Sequence, residues 1–521
     1  MANKILVRKS SGLVRNISAW DALILNVMFM APTAVFVYGI WASAIYPGVH
    51  LPTTALLAIP ISVIVGLFYA VYSAAMPRSG GDYVWVSRVL HPSIGFMINF
   101  FIFMVLLSVA GAYVPWLTQY ALAPMLEFNG YSAAASTVAS TEFTFLAAVI
   151  IYLIFAAIVS RGSKATTTTL WILFSLVFIG LIAYTITLLR VGPETFTTAL
   201  KAQTGLDPQE AIRAAESAGF PGKFLLPATM LGLVFTYINF IGFNSSVYAS
   251  GEIKEVQKSQ LIAIIGSIVV FGFITWLAYQ ATYHGMGGTL IGALSYLWAV
   301  GDPAYKLPFS DGPFFMLLFQ YAAGSKAMYN FVMICWSAMI LGAILTYVAI
   351  TVRLVFAWSF DRVVPTALSK VDSRYNSPYM ALIFVTVIAI ILQAAWLWTP
   401  LLNYFAYAVF GWMIAQSIAA ISGIVFPLRR KDIWDKSPSI VRAKIGPVPV
   451  LGILGVLTII VSAWLAYGSM SPALVGTIDP IILVFTFALF ALALVIYAAS
   501  SLYHRRVGIP LELTFKEIPP E

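Results

Sequence analysis

Asn239, Gly242, Asn244, Ser245 and Ser246 stand in the middle of a stretch, Leu225 to Gln260, that otherwise begins as an apolar helix opened by Pro227. A polar group left unpaired in hydrocarbon is costly, so such residues are tolerated only where they face protein or a wet cavity. Two readings fit: a helix broken near Ile241–Asn244 that bares backbone amides and carbonyls, or a continuous helix with a small-residue packing face. A second interruption is written near the N-terminus, where Met30-Ala31-Pro32-Thr33-Ala34 lies inside an apolar run. Proline removes a helix hydrogen bond there, which gives either a break or a simple kink.

Breaks in both places would bring helix ends together at mid-depth. The amides of Thr33, Ala34 and Val35 would suit a carboxylate. The carbonyls of Met30, Ala31, Tyr237 and Ile238 would suit an ammonium. That is the chemistry for holding a zwitterionic amino acid. Ser108, Asn239, Phe240, Trp336, Ser337 and Tyr407 are candidates for a side-chain pocket, each of them equally readable as packing, and Tyr237 or Phe240 as a gate.

Other chemistries find little support. The histidines His50, His91, His284 and His504 fall near helix ends or in loops without metal-ligand spacing, and the one cysteine, Cys335, lies in an apolar run. No metal, cofactor or enzyme constellation is expected, and a channel's charge rings are not written in the sequence. Gly285-Met286-Gly287-Gly288 resembles a phosphate loop only faintly, because no strand precedes it.

The elements that must position these residues are membrane helices. Of the 521 residues, 61% are hydrophobic and 9% charged, and apolar runs of about 20 residues recur throughout, enough to span a bilayer. Twelve spans are expected, near 19–46, 53–76, 94–122, 143–160, 166–189, 225–260, 261–283, 326–358, 378–398, 402–426, 448–467 and 481–503. The resulting units are a basic arm (1–18), a first set of five spans (19–189), a loop with a short surface helix (190–223), a second set of five (224–426), helices 11 and 12 (427–503) and a tail (504–521). With both termini cytoplasmic, only Arg190, Lys201, Arg213, Lys223, Lys306 and Lys326 of the 29 Lys and Arg fall outside, as the positive-inside rule requires. The net charge of +9 is therefore a topological signal addressed to the bilayer, not to nucleic acid. Spans 1 and 6 are the interrupted ones and open two sets that enter the membrane from opposite sides. That pattern points to an inverted-repeat transporter with its site between the breaks.

Three motifs carry a family resemblance. Pro77-Arg78-Ser79-Gly80-Gly81-Asp82-Tyr83 resembles a P-x-S-G-G-x-Y turn after helix 2. Phe240-Ile241-Gly242-Phe243 followed by Gly251-Glu252-Ile253-Lys254 resembles the helix 6 pattern, and Arg353…Ala357…Asp361-Arg362…Pro365 the end of helix 8. The chain resembles the amino acid–polyamine–organocation superfamily. The resemblance implies an all-α membrane protein of LeuT type, with a five-plus-five inverted repeat, broken helices 1 and 6, and two further helices. It implies a permease or exchanger for amino acids in the cell membrane, with cationic amines or polyamines as the alternative cargo. The sequence departs from the family where a glycine-rich break falls on Pro32-Thr33-Ala34, where Asn244 stands in place of an acid, and where helix 5 carries Ser175 nearest to an expected lysine. Sodium held by helix 1 carbonyls and Ser337 or Thr346 is one coupling option and a proton another, with Asp21, Glu252 or His284 as carriers. Amino acid exchange or facilitated transport, which needs neither, is the favoured reading, with sodium next and protons last. The oligomeric state is left open.

Overall fold

The computed structural model describes residues 12–400, 408–470, 480–508 and 511–516. Twelve helices in it are long and apolar enough to cross a membrane. Helices 1 and 8 are the most enclosed, and helices 4, 11 and 12 the least. That order follows from where a site must be. The two enclosed helices meet at the site, and the exposed ones spend their apolar faces on lipid.

Helix 1 is two pieces, Ala19–Phe29 and Val35–Ile45. Ser18 and Asp21 cap the first piece with a reciprocal pair of hydrogen bonds. Helix 6 runs over Leu226–Phe240, turns at Ile241 and Gly242, and continues as a 3-10 segment, Ser245–Glu252. Both interruptions therefore stand in the structure, and the continuous-helix reading of Leu225–Gln260 does not.

The remaining spans are helix 2 (Leu51–Ser73), helix 3 (Pro92–Pro115), helix 4 (Thr141–Ser160), helix 5 (Ser163–Thr204), helix 7 (Val256–Thr282), helix 8 (Lys326–Phe360), helix 9 (Tyr379–Trp398), helix 10 (Ala408–Arg429), helix 11 (Val450–Ser469) and helix 12 (Pro480–Arg506). Helix 2 packs along helix 7, the first piece of helix 1 on helix 7, and helix 8 on helices 3 and 5.

Several expectations shift. Helix 5 continues past residue 189, bending at Gly192-Pro193, where Gly192 takes φ 70°. The glycine-rich segment after helix 7 is not a loop. It passes through a π turn, Tyr283–Gly287, into a helix over Gly288–Val300. The turn after helix 2 holds a short helix, Asp82–Val89, that is buried throughout. The surface helix stands at Pro208–Ser217, with Asp207 accepting from the amides of Gln209 and Glu210. Tyr407 and the expected start of helix 10 lie outside the described residues.

One end of the bundle gathers the basic loops. Ile17 bridges Ile253, Ser163 donates to Asn16, and Arg430 donates to the Arg88 carbonyl. This is called the basic end below. At the far end the amide of Leu225 donates to the Gly48 carbonyl, and Asn129 pairs with Asn330.

Candidate functional site

The break in helix 1 is forced locally. Pro32 has no N–H to give, and the preceding Ala31 adopts φ 52°, ψ 80°, a left-handed conformation unusual for a residue with a Cβ. A short 3-10 turn, Pro32–Ala34, then restarts the helix. The break in helix 6 rests on Gly242 at φ 113°. A Cβ built there would stand 1.9 Å from a ring carbon of Phe29. The two breaks thus touch, and only glycine permits the approach.

Side chains from helix 8 hold the helix 1 break from both sides. The Tyr347 hydroxyl donates to the Phe29 carbonyl at 3.1 Å, and the Trp336 indole donates to the Thr33 carbonyl at 3.4 Å. Asn26 ties the two broken helices together below the breaks. Its carbonyl oxygen accepts from the Ser245 hydroxyl at 2.8 Å and the Ser246 amide at 2.7 Å.

A cavity of about 250 Å³ opens beside the breaks. Phe29, Met30, Tyr113 and Tyr347 line it near the breaks, with Ile238, Asn239 and Ile241 from helix 6. Val105, Leu106, Val109 and Ala112 of helix 3 form one side, and Trp396, Val409 and Trp412 another. Toward the far end it is roofed by Tyr38, Trp41, Trp116 and Phe235. Their ring centroids lie 5.2 Å apart for Tyr38 and Trp41 and 6.5 Å for Trp41 and Trp116. Trp116 begins a π segment, Trp116–Leu122, that follows Pro115; such bulges are frequent at functional sites. Among the described residues the wall contains no Asp, Glu, Lys, Arg or His. Its one amide, Asn239, is 2% exposed and has no partner for either its oxygen or its nitrogen among the described residues. The Thr33 hydroxyl, also buried at the helix 1 break, likewise lacks one. Buried polar atoms left open in this way cost stability and suit a site that takes a polar ligand.

The sequence candidates divide on this geometry. Ile238, Asn239, Ile241 and the Met30 backbone region reach the cavity wall. Ala31, Pro32, Thr33, Ala34 and Val35 form the break behind it and are not wall residues. The Ala34 amide is engaged by the Ala31 carbonyl at 2.9 Å, so it is not bare as expected. The Ile238 carbonyl likewise accepts from the Ile241 amide. Tyr237 is buried and does not line the cavity, and Phe240, also outside the lining, packs edge-on against Phe271 of helix 7. Gly242 and Asn244 shape the turn without lining the cavity. Ser108 turns to its own helix, donating to the Met104 carbonyl, and Trp336 acts on the break, not on the cavity.

The ion-site candidates do not converge. Ser337 and Thr346 are nine residues apart on one helix, about 13 Å along its axis at 1.5 Å per residue. Each hydroxyl donates to its own helix, to the Met333 and Gly342 carbonyls. The Phe29 carbonyl, a natural cation ligand, is occupied by Tyr347.

Sequence reasoning missed most of the cavity: Tyr38, Trp41, Tyr113, Trp116, Phe235, Tyr347 and Trp396. Tyr347 was within reach, since an aromatic hydroxyl deep in an apolar helix needs an acceptor.

Comparison with known proteins places the chain. A family model described as amino acid permease matches residues 22–490. The methylthioribose transporter of Bacillus subtilis (strain 168) is 25% identical over 386 residues, covering 71% of this chain and 73% of that protein. The branched-chain amino acid permease BcaP of Lactococcus lactis subsp. cremoris (strain MG1363) is 24% identical over 467 residues, 84% and 87% of the two chains. The aspartate-proton symporter of Bacillus subtilis (strain 168) is 24% identical over 420 residues, 78% and 71%.

Proposed function

This chain belongs to the amino acid permease family, and on that premise we propose that it carries neutral amino acids with apolar side chains across the cell membrane by alternating access. The observation that supports this reading is the cavity beside the two breaks, whose wall among the described residues is aromatic and aliphatic, carries no charged side chain, and offers one open amide, Asn239.

The zwitterionic head group belongs where the cavity meets the two breaks, against Met30, Asn239 and Ile241, and the side chain belongs under the Trp41 and Trp116 roof. The same wall weighs against the other cargoes. A polyamine or an aspartate would bury a charge with no counter-charge in the wall, and an uncompensated buried charge is prohibitive. A thioether sugar such as methylthioribose would bury several hydroxyls against a single amide and the tyrosine hydroxyls. With the basic end in the cytoplasm, as the distribution of Lys and Arg supports, both termini are cytoplasmic and the aromatic roof faces outward.

Exchange of one amino acid for another, or facilitated transport, remains the favoured mode, because Ser337 and Thr346 lie nine residues apart on one helix, about 13 Å along its axis, and do not converge on one ion. The test is counterflow in proteoliposomes loaded with leucine, phenylalanine, aspartate, putrescine or methylthioribose. Leucine or phenylalanine should support uptake without a sodium gradient. Preference for aspartate or putrescine overturns the cargo, and strict dependence on sodium overturns the mode.

A further inference from the structure

Three carboxylates are buried at the basic end, and only two of them have a cation. Glu252 meets Arg353 through two hydrogen bonds, 2.8 and 3.1 Å, and Asp361 meets Arg88 at 2.8 Å. Asp82 has no ion pair among the described residues. It is 1% exposed. Its two oxygens accept from neutral groups, the Tyr248 hydroxyl at 3.0 Å and the Asn99 amide at 3.1 Å. Asn99 in turn accepts from the Trp358 indole at 2.7 Å.

The position matters as much as the isolation. Tyr248 lies on the 3-10 continuation of broken helix 6, Asn99 on helix 3 and Trp358 on helix 8. Asp82 therefore joins an element that must move, if the helix 6 break is used, to the helices that frame it. The surrounding turn is tight. The Gly80 amide donates to the Tyr248 carbonyl, and a Cβ at Gly81 would stand 2.8 Å from Val247. With the basic end closed as it is here, Asp82 lies in the dry interior, and an opening between these helices would wet the carboxyl.

We propose that Asp82 is a proton-binding site of the basic-end gate: it takes a proton while that end is closed and gives it to the solvent of that side when the end opens.

The other groups around it leave this proton unshared. Tyr69 from helix 2 and Tyr83 from its own short helix are neutral phenols, as is Tyr248. Helices 3 and 8 present Asn99 and Trp358. Helix 10 brings Arg429 and Arg430 to the opposite end of the short helix, where they donate to the Leu90 and Arg88 carbonyls. Glu252, Arg353, Arg88 and Asp361 are engaged with one another. Burial raises the Asp82 carboxyl to about 6, with the hydrogen bonds from Tyr248, Asn99 and the Tyr83 amide opposing it. Wetted, it returns to the ordinary carboxylate range. A group whose pKa is higher in the closed state stabilises that state below its raised value and loses this contribution as pH rises through it. Acid therefore favours the closed basic end, and neutral pH favours its opening with release of one proton.

The experiment reads the gate directly and needs no substrate, so it stands apart from the cargo assignment. Spin labels are placed on Lys258→Cys and Lys370→Cys, both exposed at the basic end, in a Cys335→Ser background. Distances are recorded in reconstituted full-length protein between pH 5 and pH 7.5. The open-to-closed ratio should rise about tenfold across that range, as one carboxyl moving between the two values requires. Asp82→Asn, which is permanently neutral, should hold the ratio at its acid value at every pH. Should that variant not fold, Tyr248→Phe removes one hydrogen bond to the ionised form and should move the midpoint upward. A wild type indifferent to pH, an unchanged titration in Asp82→Asn, or an unmoved midpoint in folded Tyr248→Phe overturns the proposal.

Discussion

The two ends of the bundle are closed by different materials. At the basic end, Glu252 with Arg353 and Arg88 with Asp361 form buried ion pairs, and Asp82, Asn99, Tyr248 and Trp358 a hydrogen-bonded chain. Over the cavity at the far end the described residues are rings: Tyr38, Trp41, Trp116 and Phe235. Each ring pair adds only about 0.5–1.5 kcal/mol beyond the area it buries. Buried charges must break and rehydrate together. The far end is thus the more easily opened in this conformation, and the basic end is the one whose opening can be tied to a chemical event.

The largest effect should come from breaking that distinction at its strongest point. Arg353→Ala leaves Glu252 buried without a cation, which should cost about 3–5 kcal/mol. A thermal melt in detergent should show a drop of several degrees, and the basic end should open in the distance measurement. Paired replacement, Glu252→Gln with Arg353→Met, should recover most of the loss. A single variant as stable as wild type would erase the contrast between the ends.

Next in size is Gly242→Ala, where the two breaks touch. A Cβ there overlaps the Phe29 ring, and φ 113° is a region open essentially to glycine alone. Strain of about 1–3 kcal/mol, added to the overlap, should abolish counterflow while the protein still reaches the membrane; Gly242→Leu should do the same. Normal uptake by either folded variant would mean that the breaks are not where cargo is held.

Trp41→Ala addresses the roof. The far end should lose its cover without losing its framework. Stability should fall by less than about 2 kcal/mol, since Trp41 is only half-buried. Apparent affinity for leucine or phenylalanine should weaken about tenfold, roughly what lost aromatic contact implies. A stability loss matching that of Arg353→Ala would show that the roof is framework after all.

The smallest effect is expected at Ala31. Its left-handed backbone costs about 1 kcal/mol as alanine. Ala31→Gly removes that strain and adds a similar entropy loss on folding, so melting temperature and counterflow should both stay close to wild type. A large gain in stability would mean that strain at the helix 1 break is much greater than its angles indicate.

The contrast between the ends was only half legible in the chain. The polar insertions at Asn239–Ser246 and the proline at position 32 marked the two places where a break could stand, because hydrocarbon penalises unpaired backbone wherever it occurs in sequence, but a packing face and a proline kink fitted the same residues. The motif after helix 2 was visible as a turn between charges, but nothing in it said that Asp82 would be buried or lack a cation. The site was read too close to the breaks. Pro32, Thr33, Ala34, Phe240 and Gly242 build the geometry, whereas the cavity is walled by residues far apart in sequence, such as Tyr113, Tyr347 and Trp396. Ser337 and Thr346 were chosen for their hydroxyls, which their own helix carbonyls had already claimed.

What the sequence determined by itself is whatever follows from chain-local cost. That covers twelve apolar spans, the two places where a span could be interrupted, the loops in which Lys and Arg collect, and family membership carried by short motifs. These depend on transferring each segment into lipid, a sum over neighbours in the chain. Tertiary structure alone decided which carboxylates found an arginine, which rings met over the cavity, and that Asn239 would be left open while the Asn26 side-chain oxygen would be bound. Those outcomes depend on distances between helices that lie hundreds of residues apart. A side chain's partner across such a gap is fixed by packing, on which its own neighbours in sequence have no bearing.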